Sequence, residues 1–278
     1  MQVFKTTLLM TILTLVLMLI GGWIGGDAGL VIALVLAGVM NFVSYFYSDK
    51  IALKTYSAQP ATRQELPNVY RILESLTGRE NLPMPKVYLI PSDSPNAFAT
   101  GRNPQHASVA VTRGILALLT DEELEGVLGH ELGHVRNRDI LISSIAATLA
   151  GAIMLLARWA GWAAMFGGYG GRDEREGGAL GALALIIIAP VAAMLIQLAI
   201  SRSREYAADA SGAEWTGNPQ ALASALEKLD AYSKQLPMPA TPSTAHLFII
   251  APQTRAMLAG LFSTHPPIPA RVARLLRH

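Results

Sequence analysis

Long apolar stretches alternate along the chain with polar segments that carry nearly all of the charge. Four stretches are long enough to predict membrane-spanning helices, because about 20 apolar residues cross the hydrocarbon layer of a bilayer. They run from about Phe4 to Ile24, from Ala28 to Tyr47, from Ile140 to Phe166 and from Gly178 to Ile200. The pattern therefore predicts a mainly helical membrane protein with four transmembrane helices in two hairpins.

Some of these stretches allow other interpretations. A secretory signal peptide also begins with an apolar run, but the first run is too long, lacks a clear cleavage site and is followed at once by a second span. The last two stretches also resemble buried core helices, although their length and lack of a polar face favour membrane spans. Arg158 lies near the end of the third stretch, where it can reach the interface, and Pro190 is tolerated in a membrane helix.

The distribution of Lys and Arg predicts the orientation of the spans. The link between the first two stretches has none, whereas residues 48–139 and the tail after Ile200 are rich in them. The positive-inside rule places both segments in the cytoplasm, although Arg172 and Arg175 between the last two spans weaken the argument slightly. The predicted organisation is a transmembrane hairpin (1–47), a cytoplasmic catalytic part (48–139), a second hairpin (140–200) and a second cytoplasmic catalytic part (201–278).

The first cytoplasmic segment has the pattern of a small α+β unit. The spacing of apolar residues predicts an amphipathic helix over Leu66–Leu76, and strands are predicted over Lys86–Ile90, Asn96–Thr100 and Ser108–Thr112. The turn residues Gly101–Pro104 connect the last two strands. Together these segments predict a small antiparallel sheet.

Composition supports lipid contact and limits the chemistry. Apolar residues make up 51% of the chain and charged residues 15%, and the mean hydropathy is +0.36. A net charge of +2 is too small to predict a nucleic-acid partner. The chain has no cysteine, so a metal site would use His, Asp or Glu.

A capping box at Thr120 predicts the helix that carries the candidate chemistry, because Glu123 follows three residues later. This helix, expected to end near Arg138, contains the sequence His-Glu-Leu-Gly-His at residues 130–134. Residues four apart lie about 40° apart around a helix, so His130 and His134 share a face and can bind one ion. Glu131 cannot easily bind the same ion but can take a proton from water beside it. Gly133 is expected to leave this face uncrowded.

Glu205 is the predicted third metal ligand, because catalytic zinc usually has three protein ligands and one open position. Glu205 comes soon after the fourth apolar stretch, and the third apolar stretch comes directly after the His-containing helix. Both metal-binding helices are therefore expected to leave the membrane together, which predicts a site near the membrane surface. Asp209, four residues on, is predicted to hold a ligand imidazole through its other N–H. Alternatively, both acidic residues lie on a solvated face and pair with Arg202 and Arg204.

Four motifs give the chain a resemblance to the HtpX-type membrane metalloproteases, relatives of the type I CAAX prenyl proteases. They lie at residues 130–134 (HELGH), 203–209 (SREYAAD), 95–101 (PNAFATG) and 263–267 (STHPP). The resemblance implies a gluzincin-like catalytic domain with one Zn²⁺ per chain, bound by His130, His134 and Glu205, and Glu131 as general base and acid. It also implies a protease of the bacterial inner membrane that degrades misfolded or damaged membrane proteins in quality control and stress response.

The resemblance suggests roles for two further segments. Residues 96–99 (Asn96, Ala97, Phe98, Ala99) would form an edge strand beside the cleft to which a substrate adds, although an ordinary sheet strand fits the pattern equally well. His265 would stabilise the oxyanion or occupy the open zinc position at rest; the alternative is a turn residue before the C-terminal helix. Arg271, with the nearby Arg274, could pair with acidic residues near the site, but a solvated helix face is the favoured expectation.

Three other functions are compatible with parts of this pattern. Processing of prenylated proteins, in relatives, uses more spans than the four predicted. A zinc-binding scaffold without catalysis would have no need of Glu131. A transporter is poorly supported, because the predicted spans contain no acidic residue.

Overall fold

The computed structural model describes residues 2–146, 148–149, 202–235, 249 and 266–277. The helices are α1 (Gln2–Thr55), α2 (Pro67–Arg79), α3 (Arg113–Leu118), α4 (Asp121–Arg136), α5 (Arg202–Thr216), α6 (Pro219–Ser233) and α7 (Ile268–Leu275). The strands are β1 (Gln59–Pro60), β2 (Lys86–Ile90), β3 (Ala97–Gly101) and β4 (Ala107–Thr112). A turn of 3-10 helix, Pro104–His106, precedes β4, and residues 139–146 and 148–149 are also helical.

α1 folds back on itself as a helical hairpin. Its backbone leaves the helical conformation at Gly25 and Gly26, where Gly26 has a φ of 56°, a value that glycine adopts readily. The two arms are in contact, since the Asn41 amide nitrogen donates to Thr14 Oγ1 at 3.0 Å. The turn lies where the sequence predicts it, but the second arm continues past the predicted end at residue 47 to Thr55.

The second arm has the properties of a membrane anchor. Among the described residues, Gly25–Thr55 is the one helix long and apolar enough to cross a membrane, and Thr6–Leu19 is a shorter apolar helix. Val31, Ile32 and Val35 are each more than half exposed. A continuous apolar surface of this kind is typical of a face that contacts lipid or another apolar partner.

The strands form one mixed sheet in the order β1-β2-β4-β3. β3 and β4 form the antiparallel hairpin that the turn residues predict, but β2 and β4 are parallel. The prediction of an antiparallel sheet is therefore wrong for the β2–β4 pair. After β2 ends at Ile90, the chain leaves one strand position free and forms β3 on its far side. β4 then fills the position between β2 and β3, antiparallel to β3 and parallel to β2.

Both faces of the sheet are covered. On one face, Ala99 and Val109 belong to the main apolar core, which includes residues of α2, α4 and α6. On the other face, Phe98 packs against Leu53 and Tyr56 at the end of α1. The sheet therefore joins the apolar hairpin directly to the catalytic segment.

α4 begins with the capping box predicted from the sequence. The Glu123 N–H donates to Thr120 Oγ1 at 3.3 Å, and the Thr120 N–H donates to Glu123 Oε2 at 2.9 Å. Glu123 is also bound by Ser224 Oγ at 2.7 Å and Lys228 Nζ at 2.8 Å, both on α6. The same carboxylate thus begins α4 and holds it against α6.

α4 and α5 pack at backbone distance through glycines. A Cβ on Gly133 would lie 3.2 Å from Ala208 Cα, and a Cβ on Gly212 would lie 2.9 Å from the His130 nitrogen. Gly133 therefore does not serve to leave the metal face uncrowded, as the sequence suggested. It allows α5 to approach α4 closely enough for Glu205 to reach the histidines.

The start of the third predicted span contacts both the hairpin and the sheet. Residues 139–146 form a helix shortly after α4, and Ile142 and Ile145 pack with Leu13 of α1. Ser144 Oγ lies 2.7 Å from Thr100 Oγ1, at hydrogen-bonding distance from β3. The remainder of the predicted second hairpin (140–200), including the whole fourth span, lies outside the described residues, so four spans remain a prediction.

Candidate active site

The three predicted metal ligands converge between α4 and α5. His130 Nε2 lies 3.9 Å from Glu205 Oε2, and His134 Nε2 lies 3.5 Å from Glu205 Oε1. One ligand atom from each of the three side chains lies within 4.8 Å of the other two. The side chains of His130 and Glu205 are almost fully buried, and that of His134 is 17% exposed.

This arrangement fits a tetrahedral zinc ion. Ligand atoms bound to zinc at about 2.0–2.1 Å lie about 3.4 Å from one another. The observed separations of 3.5 and 3.9 Å come within a small side-chain adjustment of that value. Two imidazoles and one carboxylate also form a donor set known from catalytic zinc sites, which leave a fourth position for water or substrate.

Asp209 and Arg271 contact His130 on the side of the ring away from the metal site. Asp209 Oδ1 lies 2.9 Å from His130 Nδ1, so the other ring nitrogen faces the metal site. Arg271 donates twice to Asp209, from Nη2 to Oδ1 at 2.6 Å and from Nε to Oδ2 at 2.9 Å. Burial works against the charge of Asp209, but the bidentate pair with Arg271 holds the pKa of this carboxyl at about 2.

The favoured prediction of a solvated helix face for Arg271 is wrong, and the alternative, a pair with an acidic residue near the site, is confirmed. Its side chain is completely buried, and it shares the inner face of α7 with Val272 and Leu275. An arginine on the apolar face of an amphipathic helix requires a buried hydrogen-bond acceptor. The position of Arg271 on the apolar face of α7 was therefore the feature of the sequence that indicated a buried partner. The acceptor itself, Asp209, lies 62 residues earlier in the chain.

Asp139 occupies the corresponding position behind His134. Its Oδ2 lies 3.5 Å from His134 Nδ1, and its Oδ1 lies 4.0 Å from Arg204 Nη1. Sequence analysis did not identify Asp139 as a site residue, because it lies beyond the end of α4. Each imidazole therefore has a carboxylate on the side away from the metal site, a common arrangement around metal-binding histidines.

Glu131 faces the edge strand β3. Its Oε2 accepts a hydrogen bond of 2.7 Å from the Ala99 N–H, and the residue is buried. Burial raises the pKa of Glu131 to about 8, although the nearby His134 and the Ala99 N–H act in the opposite direction. Its carboxyl therefore exchanges a proton near neutral pH, as a general acid–base group requires.

The two histidines have different proton affinities. Burial lowers the pKa of His130 to about 4, despite the opposing effect of Asp209. Burial also acts to lower the pKa of His134, but Asp139 and the carboxylates of Glu205 and Glu131 raise it to about 9. At neutral pH and without metal, His130 is neutral and ready to bind, whereas His134 carries a proton.

Within the part of the chain that the structure describes, β3 is the last strand of the sheet, and its outward-facing backbone groups are partly engaged. The register with β4 directs the N–H and C=O of Ala97 and Ala99 away from the sheet. The Ala97 N–H contacts the Asn96 side chain at 3.1 Å, and the Ala97 C=O accepts a bond of 3.3 Å from the Ile249 N–H. Ile249 is held in turn by Arg271, whose Nη1 donates to its carbonyl at 3.0 Å.

Residues 63–278 match the sequence profile of peptidase family M48. This range contains α4, α5 and α7 and therefore all the site residues described above. The chain belongs to peptidase family M48. As an M48 peptidase it is a metallopeptidase, and the cluster of His130, His134 and Glu205 is its candidate metal site.

Proteins named Protease HtpX homolog resemble this M48 peptidase over most of its length. The one from Desulforapulum autotrophicum is 58% identical over 244 residues, covering 87% of this chain and 78% of its own. The one from Syntrophobacter fumaroxidans is 58% identical over 240 residues, 85% of each chain. The one from Thermococcus kodakarensis is 52% identical over 236 residues, covering 84% of this chain and 81% of its own. The predicted resemblance to HtpX-type proteases is therefore confirmed.

A solved structure shares the fold. The crystal structure of S. mikatae Ste24p matches with a TM-score of 0.51 at 21% sequence identity. The similarity covers 86% of this chain and 56% of Ste24p. This M48 peptidase therefore shares the fold of the matched part of Ste24p. Its described part is mostly helical and contains one apolar helix long enough to cross a membrane.

Two predicted site elements remain to be placed. His265 lies outside the described residues, which resume at Pro266 immediately before α7. Asn96 is buried at the start of β3, where its N–H donates to Thr112 Oγ1 at 2.9 Å. Among the described residues, β3 (Ala97–Gly101) is the last strand in the sheet order, and its Ala99 N–H donates to Glu131; substrate binding along residues 96–99 stays a prediction.

Proposed function

We propose that this M48 peptidase is a zinc-dependent endopeptidase embedded in a membrane. The observation that carries the proposal is the convergence of His130, His134 and Glu205 next to Glu131 and β3. One Zn²⁺ per chain would be held by these three ligands. Asp209 and Asp139 orient the two imidazoles, and Arg271 keeps Asp209 ionised.

Glu131 performs the proton transfers in the proposed reaction. When bound, zinc would polarise the scissile carbonyl and make a neighbouring water more acidic. Glu131 accepts a proton from the attacking water and then transfers it to the leaving amine. Its raised pKa suits both steps, because the carboxyl can hold the proton between them. His265 is proposed to help stabilise the oxyanion, or to occupy the open metal position at rest.

The substrate is proposed to bind as an added strand along β3. The outward groups of Ala97 and Ala99 provide hydrogen bonds to a peptide backbone without selecting its sequence. Because Asn96, Ile249 and Glu131 already contact three of these four groups, a bound peptide must replace those contacts. Unfolded segments fit this mode, since a folded protein does not offer a free extended backbone.

The location and cellular role are also proposals. Anchoring by α1 and the helix that follows α4 supports a multi-pass protein of the bacterial inner membrane, with the site on the cytoplasmic side. The clustered Lys and Arg residues of 48–139 favour that orientation. The proposed substrates are misfolded or damaged membrane proteins and other unfolded chains, cleaved in quality control during stress.

The proposal predicts a metal-dependent activity of the full-length protein in detergent. Casein hydrolysis should be lost on dialysis against a chelator and restored by about one equivalent of zinc. Zinc content and hydrolysis would be measured on the same samples. Hydrolysis that persists in protein shown to be metal-free would contradict the proposal.

Zinc binding should release protons. His134 binds a proton with a pKa of about 9 in the metal-free site, so zinc and the proton compete for it. Zinc affinity is therefore expected to rise with pH between about pH 6 and pH 8, by up to about tenfold per unit. Calorimetry in two buffers of different ionisation enthalpy would count the protons released. A pH-independent affinity with no proton release would contradict this assignment.

The N–H of Ala99 should be required for substrate binding. In an Ala99→Pro variant this donor is absent, and proline is tolerated where the N–H faces outward from an edge strand. We expect kcat/KM to fall about tenfold or more, the contribution of a hydrogen bond to a charged or reacting group. Ala99→Ser, which keeps the N–H, is the matched control. Equal activity of the two variants would show that the Ala99 N–H does not bind the peptide.

A further inference from the structure

A second polar cavity lies away from the metal site, at the end of α1. Its volume is about 270 Å³, and it is enclosed by the last turns of α1, the start of β2 and the turn before β4. Its lining includes the apolar residues Phe46 and Leu53 and the basic residues Lys50, Lys86 and Arg102. A space of this size holds roughly nine water molecules, enough for a phosphate ester group.

The charge of this cavity is unbalanced. Asp49 is the one carboxylate in its lining, against three cations. Within the described residues, none of these three cations has a carboxylate within 4.0 Å. Three basic residues around one cavity, against a single carboxylate, favour the binding of an anion.

His106 lies beside Arg102 in the lining of the cavity. Its Nε2 lies 2.8 Å from Arg102 Nη2, and its Nδ1 lies 2.7 Å from Asn103 Oδ1. A guanidinium can only donate and an amide oxygen can only accept, so Nε2 accepts and Nδ1 donates. In this arrangement the ring orients Arg102 at the cavity.

The cavity lies at the boundary between the apolar and polar parts of α1. Arg102 lies over the ring of Phe46, 5.7 Å from its centroid, and Lys50 lies 5.1 Å from the centroid of Tyr47. The exposed apolar face with Val31 and Val35 precedes these aromatic residues along the same helix. Aromatic rings next to cations are typical of the interface between hydrocarbon and headgroups.

We propose that this cavity binds the headgroup phosphate of an anionic phospholipid. Lys50, Lys86 and Arg102 would neutralise the phosphate, and the acyl chains would lie along the exposed apolar face of α1 beyond Phe46. Basic pockets beside membrane helices bind lipid headgroups because they combine positive charge with a position at the membrane surface. The inference relies on the proposed membrane placement of α1 but is independent of peptidase activity.

Lipid binding by the full-length protein in neutral detergent would test the inference. Native mass spectrometry would measure the affinity for phosphatidylglycerol and for phosphatidylcholine with the same acyl chains. Lys86→Gln and Arg102→Gln are the test variants. Lys54→Gln is the matched control, because Lys54 is exposed on the last turn of α1 but does not line the cavity. Glycerol phosphate and inorganic phosphate, titrated separately, distinguish a lipid site from a site for free phosphate.

We expect wild type to prefer phosphatidylglycerol, and each test variant to lose about fivefold in affinity for it, the effect of one basic residue near an anionic lipid. Lys54→Gln should bind like wild type. An equal loss in Lys54→Gln would indicate a diffuse surface attraction and overturn the site. Equal affinity for both lipids, or free phosphate that binds as tightly as the lipid, would also overturn it. Casein hydrolysis by the same samples is a separate measurement, so failure of the proposed function would not be mistaken for failure of the lipid site.

Discussion

Replacing Glu131 by glutamine is expected to lower kcat by about 100- to 10,000-fold, the range of general acid–base catalysis. The zinc content should stay at one per chain, because the proposed ligands are His130, His134 and Glu205. The fold should also be retained. An amide of the same shape can still accept a hydrogen bond from the Ala99 N–H.

A glutamate on the same helix provides the control for this experiment. Glu125 is partly exposed on α4 and lies 3.9 Å from Arg79, away from the metal site. Glu125→Gln should leave casein hydrolysis and zinc content unchanged. If Glu131→Gln, fully loaded with zinc, cleaves casein at the wild-type rate, Glu131 is not the general base.

Replacing Arg271 by leucine is expected to lower the free energy of unfolding by about 3–5 kcal/mol, the usual cost of breaking a buried ion pair. The variant leaves the buried Asp209 carboxylate without its bidentate partner. Because Asp209 orients His130, zinc affinity should also fall by about 10- to 100-fold. Denaturation in detergent and zinc titration would measure the two effects.

Two further variants distinguish the effect of breaking the ion pair from the effect of losing any long side chain on α7. Arg274 is exposed on the same helix and stacks on Tyr206, so Arg274→Leu should cost only about 0.5–1 kcal/mol. Combining Arg271→Leu with Asp209→Asn should recover part of the lost stability, because the unpaired charge is removed. Equal losses for Arg271→Leu and Arg274→Leu would show that the buried pair has no special role.

The local features of the fold could be predicted from the sequence. The cap at Thr120, the two histidines of α4 and the β3–β4 hairpin each depend on residues a few positions apart, and the structure contains them. Glu205 and Asp209 were predicted from their spacing and from their place after an apolar stretch, and both side chains face the histidines.

The long-range contacts of the site could not be predicted in the same way. Arg271 lies 62 residues from Asp209 and 141 residues from His130, and no local pattern indicates which buried carboxylate an arginine will meet. The Ile249 contact with β3 depends likewise on tertiary structure. The parallel β2–β4 pair was missed because adjacent strands in a sequence suggest hairpins, whereas this chain crosses to the far edge first.

The most direct test of the account is anomalous scattering at the zinc edge from crystals of the zinc-loaded Glu131→Gln protein. The account predicts one peak per chain, within about 2.0–2.2 Å of His130 Nε2, His134 Nε2 and a carboxylate oxygen of Glu205. A peak elsewhere, or a zinc ion bound by the two histidines with the Glu205 carboxylate turned away, would contradict it.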